Sequence, residues 1–160
     1  MPFDADSVSE DAVALARRCV EALYAGDRAS QHLGMAIVEA APGRATVRMA
    51  VTETMLNGFG ICHGGYVTLL ADSAFAFACN TRNHKTVAQS LDVMFLRPAY
   101  AGDLLTAAAI ERALVGRTGV YDVTVSRGST EDGRGDAEVV AEFRGRSRTV
   151  SGPVIAQEVP

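Results

Sequence analysis

From residue 64 to residue 79 the chain reads GGYVTLLADSAFAFAC, sixteen residues in which only Thr68, Asp72 and Ser73 are polar. A helix that is apolar on nearly every side has to be buried on nearly every side, because any face given to water exposes hydrocarbon. The run is short for a bilayer span and carries a carboxylate. The protein must therefore supply the cover itself. The simplest cover for one helix is a sheet curved around it.

The rest of the chain has the strands for such a sheet. Residues 33–41 and 44–52 read as two strands joined by Pro42-Gly43. In the second, Ala45, Val47, Met49 and Val51 alternate with Arg44, Thr46, Arg48 and Thr52. After the apolar run, residues 85–96, 104–115, 118–126 and 137–149 read as four more strands, although the composition of 104–115 also suits a helix. Tyr121, Val123 and Val125 share one face. Val139, Ala141 and Phe143 share another, opposite Glu138, Glu142, Arg144, Arg146 and Arg148. Gly116-Arg117 and residues 128–136 read as hairpin connections. Ahead of all these, residues 9–25 carry Val13, Leu15, Ala16, Val20, Leu23 and Tyr24 at helical spacing, with Ser9 as N-cap and Gly26 as stop. The tail from Ser151 is expected to be frayed.

Short turns between strands favour antiparallel pairing, so the expected fold class is α+β. About six antiparallel strands wrap a long central helix, with an extra helix at the N-terminus. The 160 residues show no repeat, no linker and no second apolar unit, so a single domain is expected, with its core over about residues 30–150.

Charge and cysteine usage remove several classes of function. A formal net charge of −4 disfavours nucleic acid or an anionic membrane as partner. The opening MPFDADSVSEDA has neither the basic nor the apolar region of a secretory signal, so a soluble, cytoplasmic protein is expected. Cys19, Cys62 and Cys79 form no CxxC pair, and the histidines are His32, His63 and His84 alone. Neither a disulfide framework nor a metal site suits that set.

Asp72 is the residue to explain. Taken alone, an acid in a core helix reads as a structural carboxylate bonded to a neighbouring loop. Its surroundings point elsewhere. Gly64-Gly65 opens the helix and lets a ligand approach the backbone. The first turn of a helix also offers unpaired N–H groups and a positive potential, which suit an oxygen gathering negative charge. Yet Gly64 and Asp72 are eight residues apart, about 12 Å along a helix. A base or nucleophile must act within about 3–3.5 Å of the carbon whose oxygen is held. One helix cannot do both. Two antiparallel copies about a two-fold axis can, so a catalytic reading implies a dimer with two shared sites.

The stretch MLNGFGICHGGYVTLLADSAFAFACN (55–80), with FLRPAYAGD (95–103), TGVYDV (118–123) and FRGRS (143–147), resembles the hotdog-fold acyl-CoA thioesterases of the phenylacetic acid degradation (PaaI-type) family. The resemblance covers about residues 30–150. It implies a sheet wrapped on one helix, dimers that share sites, and dimers that pair into homotetramers. It implies an acyl-CoA substrate, with phenylacetyl or hydroxylated phenylacetyl groups first, and no cofactor beyond the coenzyme A of the substrate.

By the same resemblance, Asp72 is the catalytic acid, acting as general base or attacking directly. The Gly64 backbone N–H holds the thioester oxygen, Asn57 supplies an amide beside it, and His63 shapes the helix entrance. Ser90, eighteen residues after Asp72, carries a hydroxyl that orients water in some members. Each also has a plainer reading: Asn57 as the turn residue of Asn57-Gly58, His63 as a helix-start residue, Ser90 as a strand hydroxyl. For substrate binding the candidates are Gly65, Phe59 with Tyr66, Phe75 and Phe95 around the acyl group, and Arg117 and Arg144 of an arginine set with Arg112, Arg146 and Arg148 for the nucleotide. Pairing with Glu138 and Glu142 is the plainer reading of those arginines, and ordinary core packing that of Phe59, Tyr66, Phe75 and Phe95.

Other chemistries use the same residues. Cys62-His63 as a thiol nucleophile lacks a third orienting group. A hotdog dehydratase or hydratase would pair His63 with Asp72, and its product would be dehydrated rather than a free thiol. A non-catalytic acyl-CoA-binding module remains, because fold does not fix function, but binding an apolar chain gains nothing from a desolvated carboxylate.

Overall fold

The structure, a computed structural model, describes residues 8–128 and 137–156. Helix α1 (Glu10–Gly26) is followed by a short α2 (Arg28–His32), strands β1 (Ala36–Ala41) and β2 (Arg44–Ala50), and a single 3-10 turn (Glu53–Met55). Then come α3 (Gly64–Cys79), β3 (Thr86–Phe95), β4 (Leu104–Val115), β5 (Thr118–Arg127) and β6 (Glu138–Thr149). The six strands form one antiparallel sheet in the order β1-β2-β4-β5-β6-β3. Strands β1 and β3 are its edges, and α3 packs on all six. The wrapped-helix architecture with an extra N-terminal helix is thus the one the apolar run demands.

Local chemistry sets the ends of the elements. Ser9 caps α1, its hydroxyl accepting the Ala12 N–H at 3.2 Å. The helix runs through Gly26 and ends at Asp27, which then caps α2 through its carboxylate and the Ser30 N–H. Because α2 takes residues 28–32, β1 starts at Ala36 rather than at 33. In β2 the expected alternation holds: Ala45, Val47 and Met49 are buried. Residues 104–115 are a strand. Gly116-Arg117 is the β4–β5 turn, with Gly116 at φ 58, while residues 129–136 of the second expected hairpin connection lie outside the described residues.

Three expectations are corrected. First, the face of β6 shifts at a bulge: β5 pairs Val125 with Ala141 and Ser126 with Val139, skipping Val140. Val140 is therefore buried and Val139 only half so. The Val140 carbonyl accepts from the Leu96 and Arg97 N–H groups at 2.8 and 3.2 Å, which anchors the chain leaving β3. Second, residues 151–156 are tied down rather than frayed. Lys85 N–H donates to the Gly152 carbonyl, and the Asn83 amide bonds both the N–H and the carbonyl of Ile155, at 2.8 and 3.1 Å. Third, α3 is not covered all round. Gly65 is exposed, and Thr68, Leu69, Asp72, Ser73 and Ala76 are half-buried, a stripe at helical spacing.

The close fit of helix to sheet needs a gap in the strand. A Cβ on Gly145, in the middle of β6, would stand 2.8 Å from the Phe75 ring and 2.9 Å from that of Phe143. Phe75 is fully buried against Tyr121 and Phe143, at ring-centroid distances of 5.5 and 5.6 Å. Of its two readings, pocket wall and ordinary core residue, the second holds. Gly145→Ala should therefore destabilise the fold by about 1–3 kcal/mol, the usual cost of overpacking. A melting curve checks this, and a variant melting at the wild-type temperature would contradict the packing described.

Candidate functional site

The polar side chains of α3 do not share one fate. The Thr68 hydroxyl donates to the Gly64 carbonyl, one turn back, at 2.8 Å. The Ser73 hydroxyl bonds that of Ser30 at 2.9 Å, and Ser30 in turn donates to the Asp27 carboxylate at 2.6 Å. Asp72 has nothing: its Oδ1 is buried without a hydrogen-bond partner among the described residues. The reading of Asp72 as a satisfied structural acid therefore fails within the chain. Burial pushes its carboxyl above the ordinary aspartate range.

At the start of α3 the backbone donors are similarly divided. The His63 Nδ1 accepts the Gly65 N–H at 2.9 Å, and the His63 carbonyl accepts the Tyr66 and Val67 N–H groups at 2.9 and 3.5 Å. The Gly64 N–H has no partner among the described residues. His63 is thus the N-cap, and an accepting Nδ1 means that its ring hydrogen is on Nε2. Gly65 is small for the same reason, since a Cβ there would lie 3.1 Å from His63 Nδ1. A Cβ on Gly64 would lie 2.8 Å from the tip of the Phe95 ring, so any larger residue there would push that exposed ring aside.

Asn57 stands beside this free donor. Its Oδ1 accepts the Phe59 and Ile61 N–H groups at 2.9 and 3.4 Å and so staples the loop 57–61. The turn reading of Asn57 is correct as far as it goes. Because both bonds need the oxygen, the amide orientation is fixed and Nδ2 is left to donate, with no partner among the described residues. Asn57 and Gly64 line one cleft of about 520 Å³ with Ile61, Val67, Phe95 and Val140. That lies within the range of small-molecule pockets. Asp72 is not among its walls. One chain therefore offers the free donors and the carboxylate in separate places, as the spacing along the helix requires.

The remaining candidates are scattered. Ser90 pairs with Arg146 across β3 and β6, its hydroxyl 3.5 Å from Arg146 Nη1. Both project from the face away from α3, because a bulge at residue 89 turns Ala88 and Leu91 inward instead. Within the chain Ser90 is not brought to Asp72. Arg144 lies on that same outer face, held by Asp122 at 2.7 and 2.9 Å, and Asp122 also takes Arg112 at 2.8 Å. The two guanidinium groups hold the Asp122 carboxyl below its usual range. Arg117 is exposed in the β4–β5 turn. Phe59 is 91% exposed at the tip of the stapled loop. Cys62, weighed from the sequence only as a thiol nucleophile, lines the cleft, and so does Arg97, which had no place among the sequence candidates; FLRPAYAGD, quoted only for resemblance, was the available signal for Arg97.

The sequence profile of the thioesterase superfamily matches residues 59–133. The acyl-coenzyme A thioesterase PaaI of Escherichia coli K12 is 40% identical over 136 residues, 85% of this chain and 92% of that protein. The chain belongs to the thioesterase superfamily. Within it, the fold matches that of the E. coli PaaI protein of the phenylacetic acid degradation operon with a TM-score of 0.81, over 88% of this chain and 97% of the other. A variant of the phenylacetic acid degradation protein PaaI from Thermus thermophilus matches with a TM-score of 0.70 at 36% identity, over 78% and 100%. The hotdog fold is thereby established.

The raised Asp72 pKa carries a sign. A carboxyl whose folded pKa lies above its unfolded value of about 3.9 binds protons preferentially in the folded state, so stability falls as pH rises from the unfolded to the folded pKa. Asp72→Asn should accordingly raise Tm at pH 7, by about 2–4 °C for each kcal/mol of relief in a chain of this size. The gain should vanish below the unfolded pKa. Thermal melts of both proteins across that pH range check it; a lower Tm for the variant at pH 7 would show that the carboxylate has a stabilising partner.

Proposed function

We propose that this chain hydrolyses acyl-CoA thioesters at two equivalent sites, each built from two copies of itself. The observation that carries the reading is the half-buried Asp72 carboxylate, its Oδ1 buried without a partner among the described residues, on a helix whose first N–H is also free. Burying a carboxylate without partners is costly and is retained where the group has work to do. The Gly64 N–H and the Asn57 Nδ2 of one copy polarise the thioester carbonyl. Asp72 of the other copy takes a proton from the attacking water, or itself adds to the carbonyl carbon to give an anhydride that water opens. The carbon–sulfur bond breaks, coenzyme A leaves as thiolate, and the acid is released. A simple thiol has a pKa of about 8.5, so no strong acid is needed to expel it. Coenzyme A enters as part of the substrate, and the reaction uses no cofactor.

The edge strand β3 supplies the seam for the dimer. It is ten residues long with one side unpaired, and Val87, Leu91, Met94 and Phe95 are exposed on it. An uncovered apolar edge is a liability unless another strand uses it. Antiparallel pairing of β3 with its two-fold copy continues the sheet and covers the half-buried stripe of α3. Dimers then pair into homotetramers. Aryl groups of the phenylacetyl type are the acyl groups favoured, by likeness to the E. coli and T. thermophilus PaaI proteins. The same likeness supports a place in cytoplasmic phenylacetate breakdown. Among the described residues no helix is long and apolar enough to cross a membrane.

Thiol release over a panel of aryl- and alkyl-CoA esters tests the activity, with phenylacetyl-CoA expected among the best. A flat zero over the whole panel would leave only the binding-module reading. Asp72→Asn should lower kcat by about 10²–10⁴-fold, the usual share of general-base catalysis, with the fold intact. Because the carboxylate must be ionised, the acid limb of the wild-type profile should lie above the ordinary aspartate pKa. Mixing Asp72→Ala with Asn57→Ala subunits tests the sharing. Heterodimers regain one intact site, so random pairing should restore about a quarter of wild-type activity. Verified heterodimers with no recovery would mean that both groups act from one chain.

A further inference from the structure

The residue after Asp72 on α3 is tied to the helical unit that precedes the sheet. Asp27 is the joint of that unit, closing α1 and capping α2. Its Oδ1 accepts the Ser30 N–H at 2.9 Å, and its Oδ2 accepts the Ser30 hydroxyl at 2.6 Å. The hydroxyl hydrogen of Ser30 is thereby committed, so Ser73 donates across the 2.9 Å contact between the two serine oxygens. The chain Ser73–Ser30–Asp27 thus runs one way and ends on a carboxylate, which strengthens both hydroxyl bonds. Ser30 is fully buried. One turn further along α3, the Phe77 ring meets that of Tyr24 edge-on, with centroids 6.3 Å apart. Tyr24 is itself held: its hydroxyl donates to the Met35 carbonyl and its carbonyl accepts from Gln31 Nε2, each at 2.6 Å. A braced α1–α2 unit therefore grips α3 at Ser73 and Phe77, just beyond Asp72.

The sheet holds α3 by apolar contact, which is strong but has no direction. The hydroxyl chain has direction, and it acts at the residue adjoining the carboxylate. Side-chain tips lie about 5–6 Å from a helix axis, so a rotation of about 10° moves a carboxylate by about 1 Å. A displacement of that size can cost about a hundredfold in rate. For stability alone, an apolar pair in place of Ser30 and Ser73 would be nearly neutral, whereas a hydrogen bond fixes angle as well as distance. We propose that Ser73, Ser30 and Asp27 are positioning residues, which together set the rotation of α3 and so the aim of the Asp72 carboxylate at the thioester carbon held by the second copy. The inference rests on the reading of Asp72 as the acting carboxylate given above. It gives the α1–α2 unit a part in turnover as well as in the fold.

Two measurements on the full-length protein test the tether, each at a temperature where circular dichroism shows the variant folded. One is thiol release. The other is the titration of the Asp72 carboxyl followed by carbon-13 NMR, its signal assigned by its absence in Asp72→Asn. Ser73→Ala and Ser30→Ala should each lower kcat about tenfold with KM within about twofold, and the double variant should lose no more than either alone. Ser73→Thr, which keeps the hydroxyl, should retain wild-type kcat. Burial holds the Asp72 midpoint above the ordinary aspartate range, so freeing the helix should let water in and move it down in Ser73→Ala. Ser9→Ala removes the α1 cap at the far end of the same unit; it should lower Tm and move neither reading. Wild-type kcat or a wild-type midpoint in Ser73→Ala, additive losses in the double variant, or an equal loss in Ser9→Ala would each overturn the proposal. A wild type that releases no thiol would count against the activity alone, and the midpoint then decides the tether.

Discussion

The removal of α3 from water governs this protein. Its apolar residues have no acceptable solvent face, so all six strands lie against it, and the fit is close enough that β6 must omit a side chain at Gly145 where Phe75 crosses. The wrap is incomplete for a geometric reason. A six-stranded sheet has two edges, and the gap between them leaves one line of the helix half-covered, from Gly65 through Thr68 and Asp72 to Ala76. The incomplete side of the core is the line that carries Asp72, the proposed base.

On that line, polar groups with local partners are structural, and the group without one is the candidate for chemistry. Thr68 turns back on its own helix, and Ser73 reaches α2 through Ser30. Asp72 is left to carry desolvation unrelieved. The same division holds at the helix start, where His63 takes the Gly65 N–H for itself and leaves that of Gly64. His63 thereby decides which amide is free to meet an oxyanion. Asn57 does likewise: its oxygen is spent on the loop, so its NH₂ is what the cleft receives. Residues with sound structural explanations are thus the ones that leave the neighbouring polar groups free.

The order and class of elements were legible because each followed from a period. Alternation in 44–50 and 118–126 and the continuous apolar run of 64–79 left little choice once short turns were placed between them. Legible too was the separation of Gly64 from Asp72, which is a matter of helical rise alone. The strand faces were less so. Bulges at residue 89 and Val140 each add a residue that no alternation rule announces, and they turn Ser90 outward and Val140 inward.

Residue order alone dictates that one helix must be enclosed by an antiparallel sheet, and that its carboxylate and its opening glycines cannot serve one reacting carbon within one chain. Both conclusions need only solvent exclusion and a rise of about 1.5 Å per residue, the firmest quantities a sequence carries. Which polar groups remain unpaired was left to the folded chain: Asp72 rather than Ser73, the Gly64 N–H rather than that of Gly65. Whether a polar atom has a partner depends on what distant segments bring to it, and strand register, not local composition, settles that.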